Sequence, residues 1–171
     1  MRNKAMLGLT LLIMLSFITS CSDTNKEQTS EFKGIVTKRQ YHRVLVVSLS
    51  PVKYNEKDIY DAVWFTLNDS DFKKTKLGQQ IKVIYEGVIL ASSPGRGTAK
   101  RIEYVEEDEP NQTKISQNKA ILMALEKNQD MIIPNVRSII FNKETNIWML
   151  EIVDEQKGSK KSIAIEDSLT K

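Results

Sequence analysis

The sequence predicts a β-rich α+β protein built as two small units, and three observations carry that expectation. Across residues 32–105 short apolar runs are divided by polar punctuation, which is the pattern of strands. Glu106-Glu107-Asp108-Glu109-Pro110 then closes that pattern: four like charges repel one another, and proline cannot continue a strand ladder. Beyond this acidic linker, residues 106–112, the apolar spacing becomes helical, and three more alternating runs follow.

Within the first unit, residues 32–38 form the first expected strand and residues 43–49 the second. The unbroken Val44-Leu45-Val46-Val47 predicts burial on both faces, and Pro51 ends the run. Residues 61–67 are the third strand, with Trp64 and Thr66 facing one way and Val63, Phe65 and Leu67 the other. Residues 68–76 are polar except for Phe72 and predict a short helix capped by Asn68 or Ser70. In the fourth strand, residues 80–89, Ile81, Val83 and Tyr85 alternate with Lys82, Ile84 and Glu86. A turn over residues 92–97 leads into the fifth strand, residues 99–105. Three strands, a short helix and two strands is the element order of an OB-fold, a five-stranded, partly open Greek-key barrel.

The second unit spans residues 113–171. Ile121, Leu122, Ala124 and Leu125 stack on one face of a helix, with Ser116 as N-cap and Asn128 as its stop. Residues 135–141, 146–153 and 160–166 predict a three-stranded antiparallel meander turning at Asn142-Lys143-Glu144-Thr145 and around Gly158. One helix across such a sheet lets Trp148, Leu150 and Ile152 share a small core with the helix leucines.

The chain begins with a different kind of segment. Arg2 and Lys4 precede fourteen uncharged residues, 5–18. That run is too short for a membrane span, which needs about 20 residues, but long enough for a secretory signal core. The order Ile18-Thr19-Ser20-Cys21 resembles the lipobox of bacterial lipoproteins. The resemblance implies a signal peptide over residues 1–20, acylation of Cys21, a flexible tether over residues 21–31, and a lipid anchor on the extracytoplasmic face of the cell membrane. Residues 1–20 contain two bases and no acid, so the remainder carries 23 Lys and Arg against 22 Asp and Glu. With Cys21 the sole cysteine, no internal disulfide is available to the fold.

Reactive constellations are absent from the sequence. His42 is the single histidine, and no Gly-x-Ser-x-Gly elbow accompanies it. Gly95-Arg96-Gly97 lacks the Gly-Lys-Ser/Thr of a phosphate loop, and Asn68-Asp69-Ser70-Asp71 lacks the glycine of a calcium loop. No cysteine and histidine spacing suits zinc. The expectation is a protein with no enzymatic activity, metal or cofactor.

Charge gives one candidate surface. Residues 32–105 hold thirteen Lys and Arg against seven Asp and Glu. Lys38, Arg39, His42 and Arg43 surround the first expected turn, and Arg96, Lys100 and Arg101 the last. In an OB-fold the corresponding loops flank the ligand face, so the two groups would form a basic rim that attracts an anion. The candidate ligands are a lipid headgroup, a wall polymer, or an acidic or phosphorylated protein surface. Nucleic acid is disfavoured by the export signal and by the lack of displayed stacking aromatics.

Two resemblances add to this. The Phe32-Lys33-Gly34-Ile35-Val36 start, Trp64-Phe65, residues 77–83, and Ser93-Pro94-Gly95 ahead of Ala99 and Ile102 together resemble the YobA-like lipoprotein domains of bacilli. Those domains have no known function, so the resemblance implies export and an OB-like barrel but no catalytic residue. The helix at residues 120–125 and the strand at residues 148–152 resemble PepSY-type exported modules, although Asp167-Ser168-Leu169-Thr170-Lys171 lacks the glycine of their usual ending. Two function classes follow: a surface-tethered binding or adaptor module, and a regulator or inhibitor of another exported protein acting through the C-terminal unit.

Overall fold

The computed structural model describes residues 29–106 and 113–168. The expected signal peptide, Cys21, most of the tether and residues 107–112 of the linker lie outside them. Strands β1 (Thr29–Gln40), β2 (Arg43–Ser48), β5 (Ala62–Thr66), β6 (Gln80–Glu86) and β7 (Gly95–Tyr104) close into a barrel in the order β1-β2-β5-β7-β6. All neighbours are antiparallel except β5 and β7, which run parallel. This is the OB connectivity, with helix α1 (Asp69–Lys74) between the third and fourth barrel strands. Asn68 starts α1 as expected: its side-chain oxygen accepts from the Asp71 N–H at 2.9 Å. Val36, Val44, Val46, Phe65, Ile81 and Val83 fill the barrel and are fully buried.

Two sequence expectations need correction here, and one element was not expected at all. The tether does not extend to residue 31, because Thr29, Ser30 and Glu31 already pair with Glu86, Tyr85 and Ile84. Backbone pairing sets this start, and polar side chains give no sign of it. Gly95 and Gly97 are not turn residues but sit inside β7. A Cβ at Gly97 would meet the Phe65 ring at 3.0 Å, so the glycine makes room for a core aromatic. Finally, a hairpin of β3 (Val52–Tyr54) and β4 (Lys57–Ile59) is inserted before β5, turning at Asn55 and Glu56, both with positive φ. All six of its strand residues are exposed, so no burial pattern announces it.

The second unit lays helix α2 (Gln117–Glu126) on a sheet of order β10-β9-β8, formed by β8 (Pro134–Asn142), β9 (Ile147–Asp154) and β10 (Lys160–Glu166). Ser116 caps α2 by accepting from the Lys119 N–H at 3.2 Å. Ala120, Ile121, Ala124 and Leu125 pack against Trp148, Leu150, Ile152 and Ile165. Leu122, expected on that face, is only half-buried, and the turn containing Gly78 of the barrel approaches its backbone.

Two buried aspartates staple this unit. Asp154 accepts backbone N–H groups from Ile132 (2.8 Å), Ile133 (3.1 Å), Gln156 (3.1 Å) and Lys157 (3.4 Å). Asp167 accepts from Lys114 and Ile115 at 2.8 and 2.9 Å, tying the chain end to the entry of α2. The buried Trp148 indole N–H faces the Asp167 carboxylate and helps to hold its pKa down. For both aspartates burial alone would raise the pKa, but the backbone donors outweigh it and hold each carboxyl below the usual aspartate value. A depressed folded-state pKa contributes stability that is complete above the unfolded value of about 3.9 and is lost as pH falls through the folded values. Thermal unfolding followed by circular dichroism should therefore show the midpoint falling steeply on acidification below that value. Asp154→Asn, which has no charge at that position to lose, should show a shallower fall.

Candidate functional site

OB barrels commonly use the outer face of their second and third strands to hold ligands. Here those strands are β2 and β5, and their outer face is taken. Leu45 and Val47 are buried with Ile133 of the C-terminal unit, and Tyr60, Ala62 and Trp64 pack around them. On the neighbouring strand, Ile35 points out of the barrel into the core formed by α2 and its sheet. This explains the non-alternating apolar run at residues 44–47: one face lines the barrel, and the other meets the second unit. Burying a side chain of this size contributes on the order of 1.5–3 kcal/mol.

A polar clamp closes the same junction. The register of β8 against β9 slips between Val136 and Ser138. From that bulge, Arg137 donates to both carboxylate oxygens of Glu155, at 2.8 and 2.9 Å, with its guanidinium 3.9 Å from the centre of the Tyr60 ring. Asn135 adds a bond to Glu155 at 2.6 Å. None of these residues stood out in the sequence.

The structure divides the expected basic rim. Arg39 donates to the Phe72 carbonyl at 2.6 Å and lies 4.5 Å above its ring, while His42 Nδ1 is 3.1 Å from an Asp69 carboxylate oxygen. These two residues hold α1 against the first turn. Lys100 is ion-paired with Glu86, and Arg101 with Glu103 at 2.8 Å. Arg43 and Arg96 each neighbour Trp64: Arg96 is level with it across β5 and β7, and the Arg43 guanidinium is 5.7 Å from its ring centre. Lys38 lines a cleft between the barrel and the end of α2. Among the described residues no group of three or more His, Cys, Asp or Glu is placed to hold a metal, and no helix among them is long and apolar enough to cross a membrane.

The connectivity thus defines a small OB-type barrel. Residues 33–106 match a family described as a protein of unknown function, DUF3221, a stretch that spans the barrel. Among solved structures the chain is similar to the YobA protein from Bacillus subtilis subsp. subtilis str. 168, at 17% identity over 47% of this chain and 99% of that one, with a TM-score of 0.37. No curated protein matches the chain. The family match ends at residue 106, so the likeness of the C-terminal unit to PepSY-type modules rests on its sequence alone.

Proposed function

We propose that the protein is a lipid-anchored module on the extracytoplasmic face of the cell membrane, without catalytic activity, that binds an anionic component of the envelope. The observation that carries this reading is the run from Ala5 to Cys21, a signal core followed by a lipobox-like cysteine. Two acyl chains hold a protein on a bilayer far more firmly than one, since each buried CH₂ contributes about 0.8 kcal/mol. The charge excess of residues 32–105 supports the anionic ligand, with Arg43 and Arg96 each beside Trp64.

Cells grown on labelled palmitate should incorporate label into the wild type and not into Cys21→Ala. Label retained by the mutant would refute the anchor. Purified protein titrated with anionic vesicles or wall polymer should bind at low ionic strength and release at high ionic strength, because salt screens exposed charges. Equal, negligible binding at both would refute the anionic ligand.

The alternative, a regulator or inhibitor acting through the C-terminal unit, has one observation in its favour. Ile140 and Met149 stand opposite each other on β8 and β9 and remain exposed. That pair lies on the outer face of the sheet, with Ile147 and Val153 on the same side of β9. Crosslinking in cells divides the two readings: loss of capture in Ile140→Glu favours regulation, and loss in Arg96→Glu favours the envelope ligand.

A further inference from the structure

The exposed apolar side chains are unevenly placed. Among the described residues eleven large hydrophobic side chains are exposed, and six of them, Leu49, Val52, Tyr54, Ile59, Val88 and Leu90, lie on two connections of the barrel, residues 49–61 and 87–94. Register puts both connections at one end. β2 runs into the first at Ser48, and β5 leaves it at Ala62, opposite Val47. β6 runs into the second at Glu86, and β7 leaves it at Gly95, level with Val63. Thr29, where β1 begins, pairs with Glu86 at that same end. The two connections also meet: Asp61, Leu90 and Ser92 line one hollow together with Phe32 of β1.

Each connection presents an apolar surface. On the β3–β4 hairpin Val52 opposes Ile59 and Tyr54 opposes Lys57, so these four side chains share one face, and Lys53 and Asp58 take the other. On the second connection Val88 and Leu90 border a hollow with Arg96, whose carbonyl accepts from the Leu90 N–H at 2.8 Å. Exposed apolar residues gathered in this way mark a contact with another protein or with a membrane. Chain length decides between them. Eight residue steps separate Cys21 from Thr29, and even fully extended they span at most about 29 Å. A lipid on Cys21 therefore holds this end of the barrel close to the bilayer, where aromatic and aliphatic side chains beside cations suit the boundary between headgroups and acyl chains.

We propose that this end of the barrel docks on the lipid bilayer, with Tyr54, Val88 and Leu90 at the headgroup and acyl boundary and Arg96 at the phosphates. The proposal rests on the lipid-anchor reading and adds the surface through which the anchored protein meets the membrane.

The test uses the acylated protein reconstituted in phosphatidylcholine vesicles, which carry no net charge. Acylation blocks Cys21, the sole cysteine, so Tyr54→Cys, Val88→Cys and Tyr41→Cys each present a single free thiol to an environment-sensitive dye. Tyr41 is the control, 80% exposed in the turn between β1 and β2 at the other end of the barrel. Dyes at positions 54 and 88 should shift to the blue and lose about half their emission to nitroxide-bearing lipid, because interfacial side chains sit roughly 5–10 Å into the headgroup and acyl boundary. The dye at position 41 should do neither. Both effects should persist at high salt, which screens charges and leaves apolar burial in place, and this separates docking from the salt-sensitive binding of an anionic ligand. The replaced side chains are exposed, so the variants should keep the unfolding midpoint of the wild type. Dyes at positions 54 and 88 as solvated as the one at position 41 would overturn the proposal. So would shielding that grows with protein density and escapes the lipid nitroxide, which marks a second copy of the chain. The acyl mass of the same sample reads the anchor separately: solvated dyes on acylated protein overturn the docking alone, and protein without acyl mass overturns the anchor reading and the docking with it.

Discussion

Asp154→Ala is expected to lower the unfolding midpoint by roughly 6–12 °C, corresponding to about 3 kcal/mol in a domain of this size. The carboxylate has no solvent exposure and receives four backbone N–H groups from two segments, residues 132–133 and 156–157. Alanine leaves those donors without an acceptor, and the ones shut away from water bear the desolvation cost. The effect also reaches the barrel, because Ile133 is the residue that covers Leu45 and Val47. Asp154→Asn keeps one acceptor oxygen and should lose less than alanine. Equal midpoints for wild type and Asp154→Ala in a thermal melt would show that the four bonds contribute nothing net.

Gly78→Ala carries the second large expectation, a loss of about 2–4 kcal/mol. Gly78 has φ +81°, a conformation that an L side chain adopts at a cost, and an added Cβ would lie 2.6 Å from the Asn118 carbonyl oxygen and 2.9 Å from the Leu122 nitrogen. Both obstacles are helix backbone, which cannot rotate aside. Either the turn or α2 must therefore move, and the junction opens. Gly87→Ala separates strain from clash: Gly87 has φ +74° but nothing within 4 Å of its added Cβ, so it should lose only about 1 kcal/mol. Matching losses for the two variants in denaturant titrations would mean that the contact with α2 has no energetic weight.

Much of the fold was legible because burial leaves a period in the sequence. Val63, Phe65 and Leu67 point inward opposite Trp64 and Thr66, as their alternation requires, and Asn68 and Ser116 start helices where their side chains reach free amides. Illegible elements were those in which a residue does something other than its commonest task. Gly95 and Gly97 read as turn formers but are strand residues beside packed side chains, Ile89 and Phe65. Asp154 and Asp167 drew no expectation as core residues, since aspartate is seldom buried, yet they act as acceptors for buried amides.

The candidate site was legible only as a charge excess. Lys38, Arg39, His42 and Arg43 do lie around the first turn, but Arg39 and His42 are engaged with α1, and the acids that pair with Lys100 and Arg101 are set by strand register. Register also decides that Thr29 enters beside Glu86 and that Arg137 reaches Tyr60. These juxtapositions depend on residues far apart in sequence, and no local pattern encodes them. The apolar run at residues 44–47 was the one hint of the junction, because a strand buried on both faces needs a cover outside the barrel.

That cover is the claim on which the site assignment depends, since a barrel with its β2 and β5 face open would offer the ligand an OB face instead of the Arg43 and Arg96 edge of Trp64. The direct measurement is a methyl-resolved NOE spectrum of the isotopically labelled protein. Contacts should appear between Ile133 and the methyls of Leu45 and Val47, and between Ile35 and Ile121. Absence of both sets, in a spectrum where the contacts within the barrel and within the helix-on-sheet unit are present, would contradict the account.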